Sequence, residues 1–180
     1  MGTGSTVPPS GPYFYVDQLY VHYLMLPMGA KMHVQAQHLY TFLNGALVND
    51  YAVSTGVGGS TPVRSGTLGP FDRGKILRAG DPGWIVQGGV YVDDFWPLFP
   101  PDDQDSQILI HTLPFQPNAD GTHDAASYYG ETDLGQRPSS AGCIRMWPAH
   151  LGHYPGFGRF TSWAKRMQAA YRIVPFSIGA

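Results

Sequence analysis

Cys143 is the single cysteine of a 180-residue chain, and its neighbours decide how it reads. It lies in Ser139-Ser140-Ala141-Gly142-Cys143-Ile144-Arg145-Met146-Trp147. On residue type alone, a lone cysteine is a small buried hydrophobe. Here four small residues precede it, which allows close backbone approach and lets N–H groups face a ligand. Arg145, two positions on, supplies a charge that stabilises a thiolate when the chain brings it near. A cysteine nucleophile also needs a base and donors for an oxyanion. Seven histidines compete for the role of base. His111 closes the apolar run Gln107-Ile108-Leu109-Ile110, where a strand end aims an imidazole into a cleft, and it leads. His123, in a polar stretch 20 residues before Cys143, follows. His22, His33 and His38 sit among expected strands and read as structural or exposed. His150 and His153 form a surface pair whose spacing by itself means little.

Metal chemistry is not indicated. One cysteine excludes an internal disulfide and any zinc site built on several thiolates. Asp102, Asp103 and Asp105 lack the glycine and glutamate spacing of a calcium loop. His150 and His153 would need a third ligand. We expect neither a metal nor an organic cofactor.

The elements that position these residues are expected to be mostly strands. There are 23 glycines and 16 prolines, and charged residues make up 13%, about half the usual share. With 43% hydrophobic residues the chain is globular, and its length fits one domain. Residues 1–11 read as a loose leader of small residues and proline, and 12–180 as the single domain. The first six residues lack the charged and apolar regions of a secretory signal. They formally fit a myristoylation pattern, but a small-residue leader is the simpler reading. A net charge of −2 gives no basic footprint for nucleic acid or an anionic membrane. No apolar run is long enough for a transmembrane helix.

Strand composition runs from Tyr13 to Leu26, and the alternation Met32, Val34, Ala36 suggests a half-buried strand. Asn44-Gly45 between apolar runs predicts a hairpin with a type I′ turn. Residues 54–83 and 93–106 read as loops, 84–92 as a strand bulged at Gly88-Gly89, and 107–111 as a buried strand. Trp163, Met167, Ala170 and Tyr171 fall at helical spacing behind Thr161 or Ser162 as N-cap. Residues 172–178 would form a last strand, placed at an edge by Pro175. The fold class is therefore mainly β, a sandwich-like pair of mixed sheets with one or two short peripheral helices. Trp84, Trp96, Trp147 and Trp163 are mostly core, with Trp147 also a candidate cleft wall. Asp72, Arg73, Lys165 and Arg166 read as surface charge.

The order of "ILIH…LGQRPSSAGCIRMW" across residues 108–147 resembles the catalytic signature of the L,D-transpeptidases, the YkuD-type domain. Upstream, "MHVQAQHLYTFLNGALVNDYAVSTG" resembles that family's opening hairpin with its Ser-Thr-Gly ending. "TPVRSG", residues 61–66, resembles its Thr-Pro-x-Gly loop with one extra residue. The resemblance covers roughly residues 32–178. It implies a cysteine-dependent transpeptidase that forms a thioester with a peptidoglycan peptide stem and passes it to an amine, giving a 3→3 cross-link. By position it implies Cys143 as nucleophile, His111 as base and Ser140 as a residue ordering the site. The amides of Ala141, Gly142 and Cys143 would form the oxyanion hole. Arg145 would line the cleft, suited to a stem carboxylate. The Thr112 carbonyl would hold the far imidazole nitrogen, as the third group of a triad. Peptidoglycan stems would be the partners, and the cell envelope the location.

Three features depart from that pattern. Ala141 stands where the family has a basic residue or histidine, and Thr112 where glycine is frequent. Cys143 lies 32 residues after His111, longer than the family interval. The excess maps near residues 115–132, read as a lid carrying Tyr128 and Tyr129, and it leaves His123 as the rival base. With water as acceptor the same site is an L,D-carboxypeptidase. A catalytically silent cell-wall binding domain is the reading from a different class. A papain-like or amidase hydrolase is disfavoured, because those place cysteine before histidine.

Overall fold

The computed structural model describes residues 10–18, 22–25, 31–34, 37–71, 92, 95–100, 108–116, 128, 130–148 and 156–179. Among the described residues, ten strands run in chain order. They are β1 (Pro12–Asp17), β2 (His22–Met25), β3 (Lys31–Val34), β4 (His38–Leu43), β5 (Ala46–Ser54), β6 (Arg64–Leu68), β7 (Phe95–Phe99), β8 (Leu109–Thr112), β9 (Ile144–Met146) and β10 (Pro175–Gly179). Among the described residues, one α-helix, α1 (Phe157–Tyr171), precedes β10. Eight strands close into a barrel in the order β1-β10-β6-β7-β8-β9-β5-β4, while β2 and β3 form a separate antiparallel pair.

The expected sandwich is thus a barrel. Phe14, Val16, Leu39, Val53, Trp96, Leu98, Phe176 and Ile178 alternate inward along their strands, as either architecture requires. Closure comes from β1, which pairs with β10 in parallel and with β4 antiparallel, so the two ends of the sheet meet. That pairing spans nearly the whole chain and leaves no mark on local alternation.

The hairpin forms at Asn44-Gly45, where φ is +51° and +81°, as a type I′ turn needs. The Asn44 side-chain oxygen also accepts from the Gly11 N–H at 2.9 Å. Other local readings shift. The run from Tyr13 splits into β1 and β2. β6 arises inside the expected loop 54–83, and β7 inside 93–106, where Trp96 and Leu98 alternate inward despite Pro97. Pro175 opens β10, which pairs on both sides and is no edge. The helix begins earlier than its expected cap, behind Gly156. Thr161 instead accepts a hydrogen bond from the Trp96 indole at 3.0 Å. Residues 84–91, including the expected Gly88-Gly89 bulge and Trp84, lie outside the described residues.

The helix turns Phe157, Phe160, Trp163 and Ala164 into the barrel's apolar cluster. Phe160 sits at its centre, edge-on to Phe14, Tyr51 and Trp96 at centroid distances of 5.6, 6.0 and 6.3 Å. An eight-stranded barrel has an interior just wide enough for side chains to fill. Chemistry therefore has to lie on its wall or rim.

Candidate active site

β8 and β9 are parallel neighbours, with Ile110 opposite Ile144, His111 opposite Arg145 and Thr112 opposite Met146. Ile110, Ile144 and Met146 belong to the interior cluster. Side chains alternate along a strand, so His111 and Arg145 point to the outer face. Cys143 immediately precedes β9 and hydrogen-bonds the Leu109 backbone of β8. The sequence signature thus becomes one patch of barrel wall. His111 is 6% exposed, and Cys143 is half-buried.

The His111 ring is oriented by its own neighbour. Its Nδ1 lies 2.5 Å from the Thr112 carbonyl oxygen. A carbonyl only accepts, so Nδ1 carries the proton and Nε2 keeps its lone pair. Burial, opposed in part by that hydrogen bond and reinforced by Arg145, lowers the His111 pKa from 6.5 to about 4. Burial also pushes the Cys143 thiol up, while a hydrogen bond with the Leu109 backbone and the Arg145 charge pull it part of the way back. Burial thus works against charge on both groups, favouring a neutral thiol and a neutral imidazole.

The segment before Cys143 is held by three sets of bonds. Ser140 Oγ donates to the Cys143 carbonyl and accepts from the Gly142 N–H at 3.1 Å. The Gly142 amide, one of the three expected oxyanion donors, is therefore engaged locally. The Thr55 carbonyl accepts from both Ser139 and Ser140 N–H at 3.0 Å, and the Val57 N–H donates to Ser140 O at 2.9 Å. Ser54 Oγ donates to Arg137 O at 2.7 Å. The Ser54-Thr55-Gly56 triplet is thus the scaffold of the 137–143 segment. Gln37 braces it from behind, accepting from Thr55 N and donating to Thr55 Oγ1, each at 2.9 Å. The third set runs through Thr61, whose hydroxyl accepts from Gly56 N at 2.7 Å and donates to Gly142 O at 2.6 Å.

Arg145 donates through Nη1 to Ser139 Oγ at 3.2 Å, and its buried Nε has no hydrogen-bond partner among the described residues. The guanidinium has bonding capacity left for an anionic ligand. Asp133, ion-paired with Arg137, lies close enough to act on Arg145 electrostatically. Trp147 leaves β9 on the outer face and packs with Leu113, Phe115, Tyr128 and Leu134 in a second apolar cluster beside the site. Phe115 and Tyr128 form an isolated bridge, which ties together the two ends of the long insertion. A cavity of about 530 Å³ flanks the scaffold, lined by Gln18, Gln37, Thr55, Gly56, Thr61 and Arg137 among others, but by neither Cys143 nor His111.

Of the other histidines, His38 has its Nδ1 2.5 Å from an Asp50 carboxylate oxygen on the β4–β5 hairpin. His123, His150 and His153 lie outside the described residues, as do Asp102, Asp103, Asp105, Tyr129 and residues 117–127. Trp96 and Trp163 are core. Gln37, Thr61 and Asp133 escaped the sequence reading. Thr61 stands in the quoted Thr-Pro element, a signal that marked the loop without its role, whereas Gln37 carried none. Among the described residues no helix is long and apolar enough to cross a membrane, and no cluster of three metal-ligating side chains occurs.

No protein-family model matches the sequence, and no curated protein does. Solved structures are similar in fold. An L,D-transpeptidase from Mycobacterium smegmatis superposes with a TM-score of 0.50 at 14% identity, covering 95% of this chain and 59% of that one. The L,D-transpeptidase LdtMt1 in complex with imipenem gives 0.55 at 12%, covering 94% and 59%. L,D-transpeptidase 3 from Mycobacterium tuberculosis, in complex with a faropenem-derived adduct, gives 0.50 at 14%, covering 94% and 60%. The chain spans about three fifths of the length of these proteins. At such identities the likeness is one of fold: this chain folds as the L,D-transpeptidases do.

Proposed function

We propose that this protein is a cysteine-dependent L,D-transpeptidase acting on peptidoglycan peptide stems in the cell envelope. His111 Nε2 takes the Cys143 proton as the sulfur attacks the carbonyl between the third and fourth stem residues. The Ala141 and Cys143 amides stabilise the tetrahedral oxyanion. The imidazolium then protonates the departing D-amino acid, and a thioester remains on Cys143. The amine of a second stem attacks that thioester and returns Cys143 as the thiol, leaving a 3→3 cross-link. Water in place of the amine makes the same cycle an L,D-carboxypeptidase. Arg145 holds a stem carboxylate beside the reacting carbonyl.

The observation carrying this reading is the register of β8 and β9, which sets His111 opposite Arg145, two residues after Cys143, with the imidazole fixed in the tautomer a base requires. The likeness in fold supports it. A neutral resting pair is compatible with general-base attack, so the deciding contrast is acylation rather than simple alkylation. The test is intact mass after incubation with a carbapenem, for wild type, Cys143→Ala, His111→Ala and His123→Ala. We expect an adduct on wild type that is absent in Cys143→Ala and far slower in His111→Ala than in His123→Ala. Faster loss in His123→Ala would transfer the role of base. No adduct on folded wild type would leave the silent wall-binding domain ahead.

A further inference from the structure

The proposed chemistry depends on the direction of one peptide plane, and the bond that fixes it comes from another loop. Gly142 C=O and Cys143 N–H belong to the same planar trans peptide, so they point in opposite directions. Holding the carbonyl fixes the amide. Gly142 has φ +142°, a conformation that strand pairing does not supply and that favours glycine. Thr61 Oγ1 donates to this carbonyl at 2.6 Å, and the Thr61 side chain is buried. A hydroxyl has one proton. Because Gly56 N–H donates to the same Oγ1 at 2.7 Å, that proton is committed to Gly142 O. The loop is seated tightly as well. A Cβ on Gly56 would stand 2.6 Å from Thr61 N and 2.9 Å from Gly142 Cα.

We infer that Thr61 is a positioning residue for the oxyanion hole. Its hydroxyl sets the plane of the 142–143 peptide, aims the Cys143 N–H away from Thr61 and toward the site, and polarises that N–H by drawing on the carbonyl. Thr61 touches no reacting atom. This rests on the transpeptidase reading and adds a residue that composition and spacing do not reveal.

The test separates reactions that build an oxyanion from one that does not. Carbapenem acylation passes through a tetrahedral oxyanion; alkylation by iodoacetamide is a displacement at carbon and builds none. Thr61→Val keeps the shape and removes the hydroxyl. We expect its maximal acylation rate to fall by roughly tenfold or more, with the half-saturating carbapenem concentration and the iodoacetamide rate each within about twofold of wild type. Thr61→Ser, which restores the hydroxyl, should recover most of the acylation rate. The inference is overturned by wild-type acylation in Thr61→Val, by equal loss of acylation and alkylation, or by Thr61→Ser as slow as Thr61→Val. Should Thr61→Val fail to fold, Thr61→Ala removes the same hydroxyl and carries the comparison. Failure of wild type itself to acylate sinks the transpeptidase reading, whereas normal wild type with an indifferent Thr61→Val sinks only this one.

Discussion

His111 makes the stability of the barrel depend on pH in a calculable way. The imidazole is buried and its pKa is lowered from 6.5 to about 4, chiefly by desolvation. Between those two values the unfolded chain binds the proton and the folded chain does not, so stability falls as pH falls. Above 6.5 and below 4 the group contributes no slope. At about 1.4 kcal/mol per pH unit, the loss reaches roughly 2 kcal/mol at pH 5 and roughly 3 kcal/mol at pH 4. For a domain of this size that is a fall in Tm of roughly 6–12 °C at pH 4. The assay is urea unfolding across pH 4–7 for wild type and His111→Gln. Glutamine is neutral throughout, so the variant should lack this part of the slope whatever its absolute stability. The remaining titrating groups act in both proteins and cancel in the difference. Parallel curves for the two proteins would refute the reasoning, because they would mean that His111 accepts a proton in the folded state at no cost.

Two other expectations follow from the same geometry. Gly56→Ala drives a methyl into the Thr61 and Gly142 backbones, which have nowhere to retreat. It should lower unfolding free energy by roughly 1–3 kcal/mol and slow carbapenem acylation; an unchanged urea midpoint would contradict it. Burial raises the Cys143 thiol and Arg145 offsets part of that rise, so iodoacetamide should react slowly at pH 7 and faster as pH climbs past the ordinary thiol value. Arg145→Gln should slow it further wherever the thiol is still mostly protonated, and a fast, flat profile between pH 6 and 8 would instead indicate a resting ion pair.

What the sequence determined was local. Asn44-Gly45 specified its turn, because both residues tolerate positive φ and the flanking apolar runs pair at once. Small residues before Cys143, an arginine two positions after it and a histidine ending an apolar run marked a candidate site, because such chemistry needs particular side chains on a close-packed backbone. The long-range facts were illegible there. Whether alternating strands close into a barrel depends on β1 meeting β10 across nearly the whole chain. Proline and glycine around β6 and β7 masked strands whose pairing is decided by distant partners. The helix took its start not from a hydroxyl cap but from a backbone bond, Phe157 N–H to Trp147 O at 2.8 Å. Within the site, the sequence supplied Cys143, His111 and Arg145, and only tertiary structure set His111 opposite Arg145 through the parallel register of β8 and β9. The bias of Cys143 and His111 toward their neutral forms follows from burial, and the scaffold of Gln37, Thr55 and Thr61 from hydrogen bonds between loops. Neither is a property of any one segment, so neither is written in its residues.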